Sequence, residues 1–249
     1  MKLYDFKKGK ENILKILSSK TKVETPTEIP LNDEQYPYET IGYKTWVSSL
    51  FVDIVDSTSL FSLKTVNQDG LARIMRAFVQ EIVDIINSND NCVEIGIRGD
   101  CVYGVFRASY KEDLVNLFRT SYCINAFLKM FNTVLMQNSY PLINAGIGIG
   151  CGEDLIIRAG KKRVASDKIY IGKALVNASN LSKIASRNGL EPICMDSLFY
   201  SNIIDILKKE DSNYDTWIKS KQVFGYKDTF YMCNIVQSDF NDWINGGMK

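Results

Sequence analysis

The sequence contains no histidine among its 249 residues. This absence excludes Ser-His and Cys-His catalytic pairs, histidine-ligated zinc and acid-base catalysis by imidazole. Any chemistry must therefore depend on carboxylates, lysine, arginine, backbone groups or bound metal ions.

Other absences narrow the class of protein. No apolar run is long enough to cross a bilayer, and the N-terminal segment MKLYDFKK lacks the apolar centre of a secretion signal. The net charge is only +1, from 30 basic and 29 acidic residues, which argues against a nucleic-acid-binding surface. We therefore expect a soluble, cytoplasmic protein that has neither a membrane nor a nucleic acid as its partner.

Cysteine pairs with metal-ligand spacing are also missing, because the six cysteines form no CxxC motif. Scattered cysteines of this kind predict free, mostly buried thiols in a reducing compartment. They are Cys92, Cys101, Cys123, Cys151, Cys194 and Cys233.

Composition divides the chain into three parts. Residues 1–45 predict a short amphipathic helix at 11–18 and then an extended connector, because 21–44 are polar and hold three of the five prolines. Residues 46–236 predict the packed domain, and 237–249 a C-terminal tail. A hydrophobic fraction of 45% is ample for a core.

Hydrophobic periodicity within the packed domain predicts strands and helices in the order β-α-β-β-α-β. The strands are 46–55, 92–97, 101–106 and 142–151, and the helices are 67–88 and 111–137. This order is the ferredoxin-like plan of an α+β fold, with helices on one face of an antiparallel sheet and the other face left for a substrate or partner. Further elements follow: a strand pair near 154–171, a helix at 174–187, a strand at 191–195 and a hairpin at 220–236.

Two aspartates stand at the ends of predicted strands that lie together in such a sheet. Asp53 closes the first strand, and Asp100 lies in the turn of the hairpin that follows the first helix. Paired carboxylates are oxygen ligands for divalent metal ions. Phe51 shares the strand face of Asp53, and the free N–H groups of 54–58 can bind phosphate oxygens.

Four segments around these residues resemble the catalytic domain of class III nucleotidyl cyclases, the adenylate and guanylate cyclases. The segments are 51–58 (FVDIVDST), 99–100 (GD), 144–152 (NAGIGIGCG) and 172–181 (GKALVNASNL). They occur in the family's order over roughly 46–236, which makes the resemblance far more specific than any one motif.

The resemblance implies a chemistry. Asp53, Asp100 and the backbone carbonyl of Ile54 hold two Mg²⁺ or Mn²⁺ ions, which activate the ribose 3′-hydroxyl and bind the triphosphate. Ser57 and Thr58 lie at the phosphates. The products are a 3′,5′-cyclic nucleotide and pyrophosphate. Such sites form between two catalytic domains, so a head-to-tail homodimer is expected.

The residues that read the base depart from the family. Gly96 stands where adenylate cyclases have lysine and guanylate cyclases have glutamate, and Ile169 stands where adenylate cyclases have aspartate. Arg98 replaces an apolar residue, and its donors suit the carbonyl O2 of a pyrimidine. In the alternative interpretation, Arg98 only pairs with a carboxylate such as Glu94 or Asp100.

This pattern resembles the bacterial pyrimidine cyclases of Pycsar antiphage systems. The resemblance implies synthesis of cyclic CMP or cyclic UMP, which then activates a separate effector protein. Cytosine and uracil differ at one edge, and no residue in the sequence decides between them; we favour CTP over UTP.

The transition-state arginine of the family is also missing. An ungapped alignment from Gly172 puts Asn180 at its position and Val176 at the usual asparagine, whereas a one-residue shift restores Asn177 but supplies no arginine. An amide stabilises developing phosphate charge less than a guanidinium does, unless Asn180 only satisfies backbone groups. Candidate replacements are Arg187, Lys183 and Lys173.

Two further positions leave alternatives open. Asp56 replaces a family glycine and either binds metal or faces water; we favour water. Lys227 and Lys221, near Gly225, are candidates for the triphosphate tail. A cyclase-like domain that binds nucleotide with weak or no catalysis is the competing function, followed by a purine cyclase. A diguanylate cyclase is excluded, because the GG(D/E)EF hairpin is missing.

Overall fold

The structure is a computed structural model that describes residues 3–30, 40–61, 67–161, 165–223 and 226–249. Its strands are β1 (Lys22–Glu24), β2 (Ile41–Ile54), β3 (Cys92–Arg98), β4 (Cys101–Arg107), β5 (Ala145–Lys161), β6 (Ala165–Ile171), β7 (Ile193–Asp196), β8 (Lys219–Val223) and β9 (Tyr226–Cys233). Its helices are α1 (Phe6–Ser18), α2 (Ser57–Phe61), α3 (Gln68–Asn87), α4 (Lys111–Gln137), α5 (Ala174–Ile184), α6 (Ser197–Glu210), α7 (Tyr214–Trp217) and α8 (Ser238–Asn245).

The strands form one sheet in the order β3-β4-β2-β5-β7-β9-β8, with β1 beside β2 and β6 beside β5. The central strand β2 is antiparallel to both β4 and β5. The order β3-β4-β2-β5, with α3 and α4 as connections, is that of a ferredoxin-like βαββαβ unit. The predicted α+β fold is therefore confirmed.

One face of the sheet carries the main core. The Asn67 side chain caps α3 by accepting a hydrogen bond from the Gly70 N–H at 2.7 Å. From Gly70 to Ile86, α3 buries every fourth residue. It packs with α4 and α6 over the side of β2 that presents Leu50 and Val52. The predicted helical periodicity therefore identified the buried stripe.

The opposite face of the sheet carries α5. The Ser49 hydroxyl donates to the Ala174 carbonyl at 2.9 Å, and a Cβ on Gly148 would lie 2.1 Å from the Ala178 carbonyl oxygen. Glycine in β5 thus lets the helix approach the strand backbone closely. The expectation that this face is left entirely to a substrate or partner is wrong, because α5 covers β5.

The element bounds differ from the predicted ones at three places. Part of the predicted connector belongs to the sheet, since Lys22 pairs with Ile41 at the start of β2; residues 31–39 lie outside the described part. The strand predicted at 142–151 continues to Lys161 and forms half of the pair with β6. In addition, α6 and α7 lie between the predicted strand at 191–195 and the predicted hairpin at 220–236, where no element was predicted, and α8 lies in the segment predicted as a tail.

No helix in the described part of the chain combines the length and the apolarity needed to span a bilayer.

Candidate active site

Asp53 and Asp100 lie at the same end of two neighbouring strands, β2 and β4. Asp53 is the penultimate residue of β2, and Asp100 is the second residue of the turn between β3 and β4. Val52 pairs with Val102, which sets this turn beside the end of β2. Gly99 adopts φ +66 at the first turn position, with open space around it. A two-residue hairpin turn favours glycine there.

Arg187 contacts two of the oxygens that were predicted to bind metal. Its Nη2 donates to Asp53 Oδ2 at 2.9 Å and to the Ile54 carbonyl at 3.1 Å, while its Nη1 donates to the Ser182 and Ala185 carbonyls at 3.0 and 3.2 Å. The guanidinium cation of Arg187 therefore already contacts these oxygens. The donor set fits a hard divalent ion such as Mg²⁺ or Mn²⁺.

Asp53 lacks full charge compensation. Burial raises the pKa of the Asp53 carboxyl, Arg187 and Lys183 lower it, and the charge of Asp100 raises it. The net pKa shift is upward, so the cations of the protein do not offset the loss of hydration. Among the described residues no group of three or more acidic or cysteine side chains could hold a metal, so the two aspartates and a carbonyl form the candidate site.

Cys101 lies beside the two aspartates but is not a thiolate. Burial first, and then the charges of Asp53 and Asp100, raise the pKa of Cys101 to about 12. The thiol therefore stays protonated and does not add to the ligand set.

The chain turns sharply after β2. Asp56 adopts φ +52 and is exposed. This left-handed region favours glycine, and aspartate tolerates it better than most residues. A glycine at this position, as in the family that the sequence resembles, would suit the same left-handed conformation. Ser57, half-buried, and Thr58, exposed, begin α2 directly after this turn, within a few residues of Ile54.

A cleft of about 440 Å³ lies between β3 and β6. Its walls include Glu94, Gly96, Arg98, Tyr103, Arg158 and Lys168. Two of the predicted base-contacting positions, Gly96 and Arg98, thus lie in one cavity.

Tyr103 occupies the space above Gly96 and was missed from the sequence. A Cβ on Gly96 would lie 2.3 Å from Tyr103 Cζ, so a lysine or glutamate has no room there. The Tyr103 ring stacks on Phe51, with centroids 5.0 Å apart, and the Arg98 guanidinium carbon lies 5.6 Å from the Tyr103 centroid. The sequence signal for this contact is the two-residue turn at 99–100, because the register that it sets places Tyr103 opposite Gly96.

The far wall of the cleft differs from the prediction. Ile169 lies on β6 with 44% of its surface exposed, and its neighbour Lys168 lines the cleft instead. The Tyr170 hydroxyl donates to Glu94 Oε2 at 2.9 Å. Burial raises the pKa of Glu94, and the hydrogen bond from Tyr170 opposes this more than the charge of Arg98 does. The main partner of Glu94 is therefore Tyr170 rather than Arg98.

Contacts on α5 favour the ungapped alignment. Asn177 Nδ2 donates to Asp196 Oδ2 at 2.9 Å, which directs this amide into the fold. Val176 and Asn180, four residues apart, are both exposed, so they share the outer face of the helix. Asn180 thus lies on the exposed face of α5, whereas Asn177 is held by Asp196.

The candidate replacements for the missing arginine lie at opposite ends of α5. Gly152 of β5 is near Lys173, whereas Gly146, which pairs with Asp53, is near the carbonyl of Ala185. Lys173 is therefore far from the two aspartates. Lys183 acts on the charge of Asp53, and Arg187 contacts it directly.

Lys227 is not brought near Asp53 within one chain. Cys233 pairs with Ile193, which pairs with Ile147, and Ile147 pairs with Val52. Lys227 lies six positions earlier on β9, or roughly 20 Å along the strand at about 3.3 Å per residue. It is exposed, and its neighbour at 225 lies outside the described residues.

Two curated proteins are similar to this chain over nearly its full length. A protein of Treponema porcinum named uridylate cyclase is 38% identical over 98% of this chain and 82% of its own length. A protein of Gulbenkiania mobilis with the same name is 27% identical over 97% of this chain and 96% of its own length.

Solved structures show the same fold at lower identity. The crystal structure of an adenylyl cyclase from P. aeruginosa matches with a TM-score of 0.64 at 19% identity. The match covers 80% of this chain and 98% of the cyclase chain. A scan of the sequence against models of known protein families gives no match.

Proposed function

The chain belongs to the class III nucleotidyl cyclases, and from this premise we propose that it converts UTP to 3′,5′-cyclic UMP and pyrophosphate. The observation that supports UTP most strongly is that both curated relatives are named uridylate cyclase, one of them at 38% identity. This proposal replaces the preference for CTP that the sequence suggested. CTP and UTP both carry a pyrimidine base, so the expectation of a pyrimidine nucleotide is unchanged.

The two aspartates are proposed to act as metal ligands. Asp53, Asp100 and the Ile54 carbonyl would hold two Mg²⁺ or Mn²⁺ ions. When bound, the ions activate the ribose 3′-hydroxyl and neutralise the departing pyrophosphate. A bond forms between the 3′-oxygen and the α-phosphorus, and the bond from that phosphorus to pyrophosphate breaks. The 3′ proton is proposed to pass to solvent water, because the chain contains no imidazole to accept it.

The base is proposed to bind in the cleft between β3 and β6. Uracil presents two carbonyl acceptors, whereas cytosine presents one carbonyl and an amino donor. Arg98 carries only donors, so it suits either uracil carbonyl. The stacked rings of Phe51 and Tyr103 offer an aromatic face to the base. Because Gly96 has no side chain, no polar group at this position can select a purine.

The phosphates are proposed to lie between two protomers. The N–H groups around Ser57 and Thr58 would bind oxygens of the triphosphate in one protomer, and Lys227 of the other would reach its tail. Asn180 would face the phosphate that reacts. The proposed assembly is a head-to-tail homodimer with two sites.

The proposed setting is that of a cytoplasmic second-messenger synthase in antiphage defence, whose product acts on a separate effector protein. The packed catalytic domain is proposed to span 46–236, flanked by the N-terminal helix and connector and by the C-terminal tail. These proposals follow from the resemblance to Pycsar cyclases.

One assay tests the proposed reaction. Purified protein is incubated with each of the four NTPs and Mn²⁺, and products are identified by mass. We expect cyclic UMP as the main product, and loss of at least about a thousandfold in rate for Asp53→Ala or Asp100→Ala. Predominant cyclic AMP or cyclic GMP contradicts the pyrimidine site, and normal turnover by either variant contradicts the metal roles.

Asn180 favours a second candidate function, a nucleotide-binding signalling domain with little catalysis. An amide stabilises charge on the reacting phosphate less well than a guanidinium. In that case the protein binds UTP tightly but forms no cyclic product with any NTP and Mn²⁺.

A further inference from the structure

The guanidinium of Arg187 hydrogen-bonds to two oxygen atoms that are proposed as metal ligands. It donates from a single nitrogen to Asp53 Oδ2 and to the Ile54 carbonyl, at 2.9 and 3.1 Å. One lone pair cannot bind a metal ion and accept this hydrogen bond in the same direction. A divalent ion that approaches both oxygens from the side of Arg187 must therefore displace its guanidinium, which it also repels as a like charge.

Two kinds of contact fix the position of Arg187: the turn that contains it is anchored to β5, and its side chain binds backbone carbonyls. The turn after α5 contains left-handed residues at Ser186 and Asn188, with φ +59 and +53. The Ser186 hydroxyl donates to the Ala145 carbonyl at 2.8 Å, which anchors the turn to β5. The second nitrogen of Arg187 binds two carbonyls at the end of α5. The side chain is therefore a well-supported part of the fold, and it is 22% exposed.

We propose that Arg187 is an internal counter-ion that competes with divalent metal for Asp53 and Ile54. In the free protein it offsets part of the charge of Asp53 and keeps the metal affinity low. Nucleotide changes this balance, because the triphosphate brings negative charge that can accept the released guanidinium. Metal and nucleotide then bind with positive coupling, and each raises the affinity for the other by the same factor. This inference rests on the metal roles in the proposed function.

Mn²⁺ binding to the nucleotide-free protein tests the proposal without any turnover. The free ion is measured by electron paramagnetic resonance during titration of the wild-type protein and of Arg187→Gln. We expect Arg187→Gln to bind Mn²⁺ roughly tenfold more tightly, because a like charge in contact with the ligand oxygens is removed. An unchanged or weaker affinity overturns the proposal.

Lys183→Gln is the matched control. Lys183 acts on Asp53 only through its charge, whereas Arg187 occupies the ligand oxygens. We expect Lys183→Gln to change the Mn²⁺ affinity by less than about twofold, as for an exposed, screened charge. An equal gain in both variants means that bulk charge, not competition, sets the affinity, and this contradicts the proposal.

Thermal unfolding separates competition from a purely structural role. Without metal, Arg187→Gln leaves Asp53 without its partner, and the unfolding temperature falls. Saturating Mn²⁺ then replaces the missing cation, so the metal-induced rise must be larger in Arg187→Gln than in wild type. An equal rise in both contradicts the proposal. Arg187→Lys keeps the charge but loses the planar fork of donors, so it is expected to bind Mn²⁺ more weakly than Arg187→Gln does. Affinity as high as that of Arg187→Gln contradicts a competition that depends on the positive charge.

The outcomes also separate this inference from the proposed function. Tighter Mn²⁺ binding by Arg187→Gln in a protein that makes no cyclic nucleotide contradicts the function and supports the counter-ion. Cyclic UMP synthesis with unchanged Mn²⁺ affinity in Arg187→Gln supports the function and overturns the counter-ion.

Discussion

At the scale of the residue, the absence of a side chain at Gly96 and the ring of Tyr103 depend on each other. The sequence shows that Gly96 lacks a purine-reading side chain, but it gives no reason. The structure supplies the reason, because the Tyr103 ring lies where a Cβ would be, only 2.3 Å away. Tyr103 is itself 7% exposed and stacked on Phe51, so it cannot shift without disturbing that stack. Loss of the side chain at 96 and presence of the ring at 103 are therefore coupled.

A double-mutant cycle tests this coupling. We expect Gly96→Ala to lower the free energy of unfolding by about 1–3 kcal/mol, the usual cost of overpacking. In a Tyr103→Ala background the same change should cost less than about 0.5 kcal/mol, because the obstructing ring is gone. Urea denaturation of the four proteins measures both costs. Equal costs in the two backgrounds would show that the residues act independently.

The proximity of Asp53 and Asp100 could be predicted from sequence, whereas the contact of Arg187 with Asp53 could not. Asp53 and Asp100 lie in short motifs whose strands and turn are encoded locally. Arg187 follows Asp53 by 134 residues, and its orientation depends on a turn with left-handed residues. From the sequence, Arg187 was one of three candidates to replace the missing transition-state arginine, and no contact with Asp53 was predicted. Tyr103 was missed for a different reason: it pairs with Gly96 across the predicted hairpin, but pairing alone does not show that its ring lies over the glycine.

At the scale of the element, α5 is positioned by glycines in β5. A Cβ on Gly146, Gly148 or Gly150 would lie 2.1–2.5 Å from a backbone carbonyl oxygen of α5 or its C-terminal cap. The GIGIG pattern therefore brings the helix close to the strand, and its C-terminal end brings Arg187 to Asp53. Gly152 differs, because a Cβ there meets its nearest atom at 3.5 Å, an ordinary contact.

This contrast predicts unequal effects of the same substitution. Gly148→Ala should lower the free energy of unfolding by about 3 kcal/mol, since backbone atoms of α5 must move away. Gly152→Ala, on the same strand, should change it by less than about 0.5 kcal/mol. Chemical denaturation of both variants provides the measurement. A similar loss in both would mean that strand propensity, and not helix approach, determines the effect.

The main elements were predictable because their periodicity is local, and the failures have physical causes. The helix predicted at 111–137 has the bounds Lys111–Gln137, since its apolar stripe is continuous. The strand β5 was divided because it extends past one partner, β2, onto another, β6. Helix α6 was missed although Asp196 caps it, accepting from the Phe199 N–H at 2.7 Å. Pairing between distant segments, as in β1 with β2, leaves no local pattern.

At the scale of the whole molecule, the position of Lys227 indicates sites shared between two chains. Asp53 lies at one end of the sheet, and Lys227 lies roughly 20 Å away along the strand direction, with three strand spacings of about 4.8 Å across. One triphosphate cannot reach both in the same protomer. If both serve catalysis, as proposed, each must act with a residue of the partner.

Mixing inactive variants tests this arrangement. We expect Asp53→Ala to be inactive and Lys227→Ala to lose at least about tenfold in rate, since it removes a cation from the phosphates. Random exchange makes half of the dimers mixed, and each mixed dimer has one intact site of two. The mixture should therefore recover about one quarter of wild-type activity. The control mixes Asp53→Ala with Asp100→Ala, which share one metal site, so no mixed dimer contains an intact site. Recovery in this control, or none in the first mixture while both variants remain dimeric, would contradict sites built from two chains.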